Sequence, residues 1–110
     1  MLTVIIPVLN EQNTIGSVVR FCLQHPQVNE VIVVDDKSED NTVQLAKEAG
    51  AKVISSEVRG KGISMKDGIA QATNDILVFL DGDIDPYPAE TITKLTQPLI
   101  DNEADFVSVP

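Results

Sequence analysis

The sequence predicts an α/β fold: a mostly parallel, doubly wound sheet with helices on both faces. Two patterns carry that prediction. Short, β-branched, uninterrupted apolar segments recur along the chain, and the intervals between them place apolar residues at helical spacing. Strands that are apolar throughout, instead of alternating, belong to a sheet buried on both sides. Strand-helix alternation then calls for parallel strands joined by right-handed crossovers.

The apolar segments lie at 3–9, 30–34, 52–55 and 75–80, with a fifth at 104–109. Between the first two, Ile15, Val18, Val19 and Cys22 share one helix face; Val43, Ala46 and Ala49 do so next, and Met65, Ile69 and Ala72 after that. Ser38 or Asp40 is placed to cap the second helix, Gly50 to end it, and Asn74-Asp75 to lead into the fourth strand. Pro86 and Pro88 permit a helix start but not a helix interior. Gly68, inside the third helix, costs about 1 kcal/mol relative to alanine, and close packing on the sheet is the favoured reason for it.

The chain has 110 residues, enough for one domain, 1–110, with 43% hydrophobic and 23% charged residues. No apolar run approaches the roughly 18 to 20 residues that span a bilayer, and the amino terminus has no basic segment before its apolar one, so a cytoplasmic protein without a transmembrane segment is expected. Cys22, the only cysteine, reads as a small buried hydrophobe. His25 reads as a surface residue without a metal partner. A formal net charge of −9 argues against nucleic acid as a partner. The final strand has nothing after it, so the sheet is expected to be truncated, with an edge open to homo-oligomer formation.

In such a sheet, ligands bind beyond the carboxyl ends of the strands, near the point where strand order reverses. Asn10 and Glu11 follow the first strand, Asp35 and Asp36 the second, Asp81 and Asp83 the fourth. Each residue type is also common in turns and caps, so the structural reading competes at every position. Three loops with the same chemistry on one edge point instead to a cation, because clustered carboxylates repel unless protonated or bridged by metal. Asp81-Gly82-Asp83 is the sharpest element: two carboxylates spaced by one flexible residue, suited to Mg²⁺ or Mn²⁺. Such an ion would reconcile an acidic protein with an anionic ligand. Asp85, before Pro86, fits a turn or cap better than a third ligand. Arg59-Gly60-Lys61-Gly62 offers glycines for close backbone approach and one ammonium for a diphosphate.

Val4 to Glu11, Val31 to Ser38, Gly60-Lys61-Gly62 and Leu80 to Asp83 together resemble the start of a family 2-type glycosyltransferase with the Rossmann-like GT-A fold. Within that group, the loops at 59–62 and 81–88 and Pro98-Leu99-Ile100 are most similar to glucosyl-3-phosphoglycerate synthase-like and mannosyl enzymes, and dolichyl-phosphate sugar transferases share much of the pattern. The resemblance implies a metal-dependent transferase using a UDP- or GDP-sugar donor and a phosphoglycerate-like or lipid-phosphate acceptor. It implies a nucleotide-sugar site formed by Pro7, Val8, Leu9, Asn10, Glu11, Asp36, Lys61, Asp81, Gly82 and Asp83, with Asp36 accepting from the base and Glu11 near the ribose. Asp81 and Asp83 would form the DXD-type catalytic motif, Asp83 ligating Mg²⁺ or Mn²⁺ and Asp81 nearer the sugar or ribose. Members continue into a second half that supplies acceptor contacts and, in inverting enzymes, the base.

Two rival readings differ in class. A nucleotide-binding module without turnover predicts donor binding but no sugar transfer. A receiver-type signalling domain also gathers aspartates and a lysine around Mg²⁺, but there the paired acids follow the first strand, whereas Asp35-Asp36 follows the second.

Overall fold

The computed structural model describes residues 1–55, 65–100 and 107–108. In chain order they form β1 (Leu2–Val8), α1 (Ile15–Gln24), β2 (Val28–Asp35), α2 (Thr42–Ala49), β3 (Lys52–Ser55), α3 (Met65–Gln71), β4 (Ile76–Phe79), α4 (Thr91–Ile100) and β5 (Val107–Ser108). All strand pairings are parallel, in the order β3-β2-β1-β4-β5. The chain winds outward from β1 to β3, then crosses back to place β4 on the other side of β1. The switch point therefore lies between β1 and β4, where the ends of two of the acidic loops emerge.

Helices cover both faces. Leu2, Val4, Ile6 and Val8 of β1 point to the side packed by α1, α2 and α4, while Ile5, with Ile32 and Val34, faces Met65 and Ala72 at the two ends of α3. Both faces of β1 and β2 are thus buried, which explains the continuous apolar runs; full burial of each Ile or Val is worth about 1.5–3 kcal/mol.

Ile15, Val18, Val19 and Cys22 form the buried face of α1, and burial pushes the Cys22 thiol up to about 12, consistent with an inert core residue. Gly50 ends α2 at φ 111°, and a Cβ there would lie 2.9 Å from Leu23 Cδ1. Gly68 packs on the sheet as expected: an added Cβ would lie 2.9 Å from Val34 Cγ2.

Several expectations are corrected. β2 begins two residues earlier than predicted because Val28 pairs with Leu2, and it extends through Asp35, which is a buried strand residue and not part of the loop. The inward face of α2 is Thr42, Leu45, Ala46 and Ala49, with Val43 outside the core cluster. Ile69 is 42% exposed, so α3 meets the sheet through Met65 and Gly68. His25 is half-buried and fastens the end of α1 to α4: its Nε2 lies 3.0 Å from Thr93 Oγ1, and its Nδ1 accepts from Gln27 N–H. Of the predicted strand at 104–109, only Val107–Ser108 falls within the described residues. Among those residues no helix is long and apolar enough to cross a membrane.

Candidate functional site

The loops after β1 and β2 are stitched together before any ligand is considered. Asn10 N–H donates to Ser38 Oγ (2.9 Å), Glu39 N–H to Asn10 Oδ1 (2.8 Å), and Glu11 N–H to Thr42 Oγ1 (2.8 Å). Asp36 N–H continues the ladder to the Val8 carbonyl (3.1 Å). Asn10 (φ 54°) and Lys37 (φ 60°) both adopt the left-handed conformation, which is costly for side-chain-bearing residues and least so for Asn. The Asn10 amide is thereby committed to loop structure.

Asp35 is committed too. Its carboxylate accepts from Ser38 N–H (3.0 Å) and from the Ser38 hydroxyl. Ser38 therefore bridges Asp35 and Asn10 and does not cap α2. Nor is Asp40 the N-cap: that position is Asn41, which makes no side-chain cap bond, while Asp40 just before it accepts from Thr42 N–H (3.0 Å) and Thr42 Oγ1 (2.5 Å). Burial raises the Asp40 pKa, but these bonds and one from Gln12 N–H outweigh it and hold the carboxyl below its ordinary value.

The loop after β4 is anchored by two side chains, one six residues on and one 68 residues back. Tyr87 Oη accepts from Asp81 N–H (2.8 Å) and donates back to the Asp81 carbonyl (2.9 Å). Its ring is buried and stacked on Phe21, centroids 5.6 Å apart. Burial, with the nearby carboxylates adding to it and the Asp81 N–H opposing, pushes this phenol up to about 12, so the hydroxyl keeps the proton it donates. Thr14 Oγ1 donates to the Gly82 carbonyl at 2.6 Å. Gly82 is buried against β1: a Cβ there would lie 2.7 Å from Val8 Cγ1 and 3.4 Å from the Pro7 carbonyl. Only glycine allows the strand end and this loop to approach so closely.

These anchors leave Asp83 exposed and Asp81 half-buried at the rim of the switch point. Glu11, half-buried across from them, has its pKa raised by burial first, then by repulsion from Asp83 and Asp40. Two of the predicted acids, on different loops, are therefore close enough to oppose each other's charge. Pro7 and Leu9 are exposed at the end of β1; Val8 lies in the core with its carbonyl taken by Asp36; Asp36 is half-buried at the end of β2. Lys61 and its glycines lie outside the described residues. Among the described residues no three His, Cys, Asp or Glu converge as a metal cage. An ion here would be held by one or two carboxylates, with the rest of its shell from water and phosphate oxygens, as Mg²⁺ commonly is.

The sequence profile of the family described as Glycosyl transferase family 2 matches residues 3–110. The chain belongs to glycosyl transferase family 2. Within that family it is 35% identical over 106 residues to Protein RfbJ of Shigella flexneri, covering 96% of this chain and 81% of that protein. It is 41% identical over 109 residues to glucosyl-3-phosphoglycerate synthase of Mycolicibacterium smegmatis, covering 89% of this chain and 36% of the synthase. Among solved structures it resembles the Mycobacterium tuberculosis glucosyl-3-phosphoglycerate synthase in complex with Mn²⁺, UDP-glucose and phosphoglyceric acid. The TM-score is 0.80 at 31% identity, covering 94% of this chain and 40% of that one. The chain thus spans between 36% and 40% of these two synthases.

Thr14 and Tyr87 are the residues that sequence reasoning missed. Both act on backbone groups of a loop, Thr14 at a separation of 68 residues. No sequence signal marks either role: Thr14 stands where an N-cap is expected, and only the structure shows that its hydroxyl makes no cap bond and serves Gly82 instead.

Proposed function

We propose that residues 1–110 form the nucleotide-sugar-binding part of a metal-dependent glycosyltransferase that takes a UDP- or GDP-sugar as donor. The observation that supports this reading most is the family match over residues 3–110 together with the gathering of the Glu11 and Asp81-Gly82-Asp83 loops at the switch point between β1 and β4. Repulsion between the Glu11 and Asp83 charges is a cost that a divalent cation would remove.

In this reading Asp83 ligates Mg²⁺ or Mn²⁺, and Asp81 lies nearer the sugar or ribose. The bound ion would neutralise the donor's diphosphate and the charge that grows on it as the sugar departs. Glu11 orients the ribose; Asp36, at the end of β2, accepts from the base; Pro7, Val8, Leu9 and Asn10 form the wall between them, Val8 through its backbone. Lys61 supplies the compensating positive charge. The acceptor is a phosphorylated hydroxy compound of the phosphoglycerate kind or a lipid phosphate, with the former favoured by the phosphoglyceric acid bound in the related synthase.

Thermal melts with UDP, GDP and ADP, each with and without Mn²⁺, test the reading on the wild type and on Asp83→Asn. One uracil or guanine diphosphate should raise the midpoint only when Mn²⁺ is present, and Asp83→Asn should lose that rise. A shift that ignores the metal, or no shift with any nucleotide, refutes it.

A further inference from the structure

We propose that Tyr87, seconded by Thr14, is a positioning residue that fixes the Asp81-Gly82-Asp83 turn in the conformation that receives metal and diphosphate; this rests on the donor-site reading above. Three backbone groups of that turn, Asp81 N–H, Asp81 C=O and Gly82 C=O, are each bonded to a side chain. A loop held only by its ends would leave both carboxylates free to swing apart, whereas these three bonds tie its backbone to Tyr87 and to α1.

Two features show that these bonds are not ordinary loop filling. Tyr87 spends both the donor and one acceptor of its hydroxyl on a single residue, while its ring is locked by Phe21 and lines a cavity of about 310 Å³ together with Gln24, His25, Pro26 and Ala89. The ring is thus held from the helix side and the hydroxyl aimed at the turn. Thr14, for its part, leaves α1 without the side-chain cap that an N-cap threonine normally gives, typically worth about 1 kcal/mol. Local helix stability is given up, and the Gly82 carbonyl is held instead. Neither side chain bonds an Asp81 or Asp83 carboxylate in the described hydrogen bonds, so each acts through the backbone, and Asp83 stays exposed for a ligand.

The test is titration calorimetry of the diphosphate that the melts select, UDP or GDP, at saturating Mn²⁺ and in EDTA; the ratio of the two affinities is the metal enhancement. Tyr87→Phe and Thr14→Val should each reduce that enhancement about three- to tenfold, the scale of one or two hydrogen bonds, and leave the EDTA affinity unchanged. Phe21→Leu, which loosens the ring but keeps the hydroxyl, should lower the midpoint of unfolding and keep most of the enhancement. Full enhancement in both Tyr87→Phe and Thr14→Val overturns the proposal. So does an equal loss of affinity with and without metal in all three variants, since that is what a purely structural role predicts. If Tyr87→Phe does not fold, Thr14→Val decides alone, because it removes no cap bond. A wild type without enhancement refutes the donor-site reading itself and is seen before any variant is made.

Discussion

Glu30 and Glu11 are the same residue type at opposite ends of one sheet, and their surroundings move them in opposite directions. At the amino-terminal edge, the Glu30 side chain is 3% exposed and accepts from Lys52 Nζ (2.5 Å), Thr3 Oγ1 (2.6 Å) and Thr73 N–H (2.8 Å). Burial alone would raise its pKa, but these bonds outweigh it and lower it to about 2. At the carboxyl edge, burial and the neighbouring Asp83 and Asp40 raise Glu11. The difference separates a carboxylate whose hydrogen-bonding partners are built into the fold from one whose charged neighbours are other carboxylates. Among the described residues every buried side-chain nitrogen and oxygen has a hydrogen-bond partner, so the strain at the other edge is one of charge.

The largest effect expected from breaking that contrast is at Glu30. Its folded pKa of about 2 lies below the ordinary 4.5, so its stabilisation is complete above pH 4.5 and is lost as the pH falls through 2. The two values bound the effect at about 3 kcal/mol. Glu30→Gln keeps the shape and one carbonyl, loses the pull on Lys52, and should cost about 2 kcal/mol at pH 7. Denaturant melts of both proteins should converge as the pH approaches 2; a gap that persists there would mean the loss is one of packing and not of charge. Because Lys52 is 62% exposed, it can rehydrate, which keeps the cost below that of a buried pair broken on one side.

Next in size is Gly82, where the site meets the core. Gly82→Ala should destabilise by about 1–2 kcal/mol, since its Cβ would have to displace Val8 Cγ1 and press on the Pro7 carbonyl. It should also reduce Mn²⁺-assisted nucleotide binding, because the displaced segment carries both aspartates. Gly16→Ala is the control: its Cβ meets only the end of the Arg20 side chain, at 3.2 Å, so it should cost nothing and gain up to about 1 kcal/mol in helix propensity within α1. Equal losses at the two glycines would show that Gly82 is no tighter than an ordinary helix position.

How much of this was legible in the sequence depended on the range of the interactions. The sheet and the face of α1 follow from apolar spacing at 15, 18, 19 and 22, a property of a single element. Ile69 escaped because α3 makes its closest approach through Gly68, which has no side chain to register in a periodicity. The edge on which the acids gather could be read from their places after strands. What could not be read was which of them the loops consume: Asn10 and Asp35 are taken by hydrogen bonds to Glu39 and Ser38, and nothing in their identity distinguishes them from Glu11 or Asp83. Tyr87 and Thr14 were hidden for a related reason, because their partners are backbone groups, which carry no sequence signal.

The smallest effect has the most diagnostic sign. In the metal-free protein the raised pKa of Glu11 means that its ionised form costs stability; the cost sets in as the pH rises through the unfolded value toward the folded one and is constant above it. Glu11→Gln removes the repulsion from Asp83 and Asp40 and should stabilise the metal-free protein at pH 7 by a few tenths of a kcal/mol, the scale of partly exposed charge pairs. Below about pH 4 the gain should vanish, because the wild-type carboxyl is then protonated as well. With saturating Mn²⁺ and the diphosphate the order should invert, the wild type becoming the more stable by mass action. Paired melts in EDTA and in Mn²⁺ read both signs from one protein preparation. Gain without inversion would leave Glu11 a poorly placed surface acid, and inversion without gain would leave its raised pKa unrelated to Asp83.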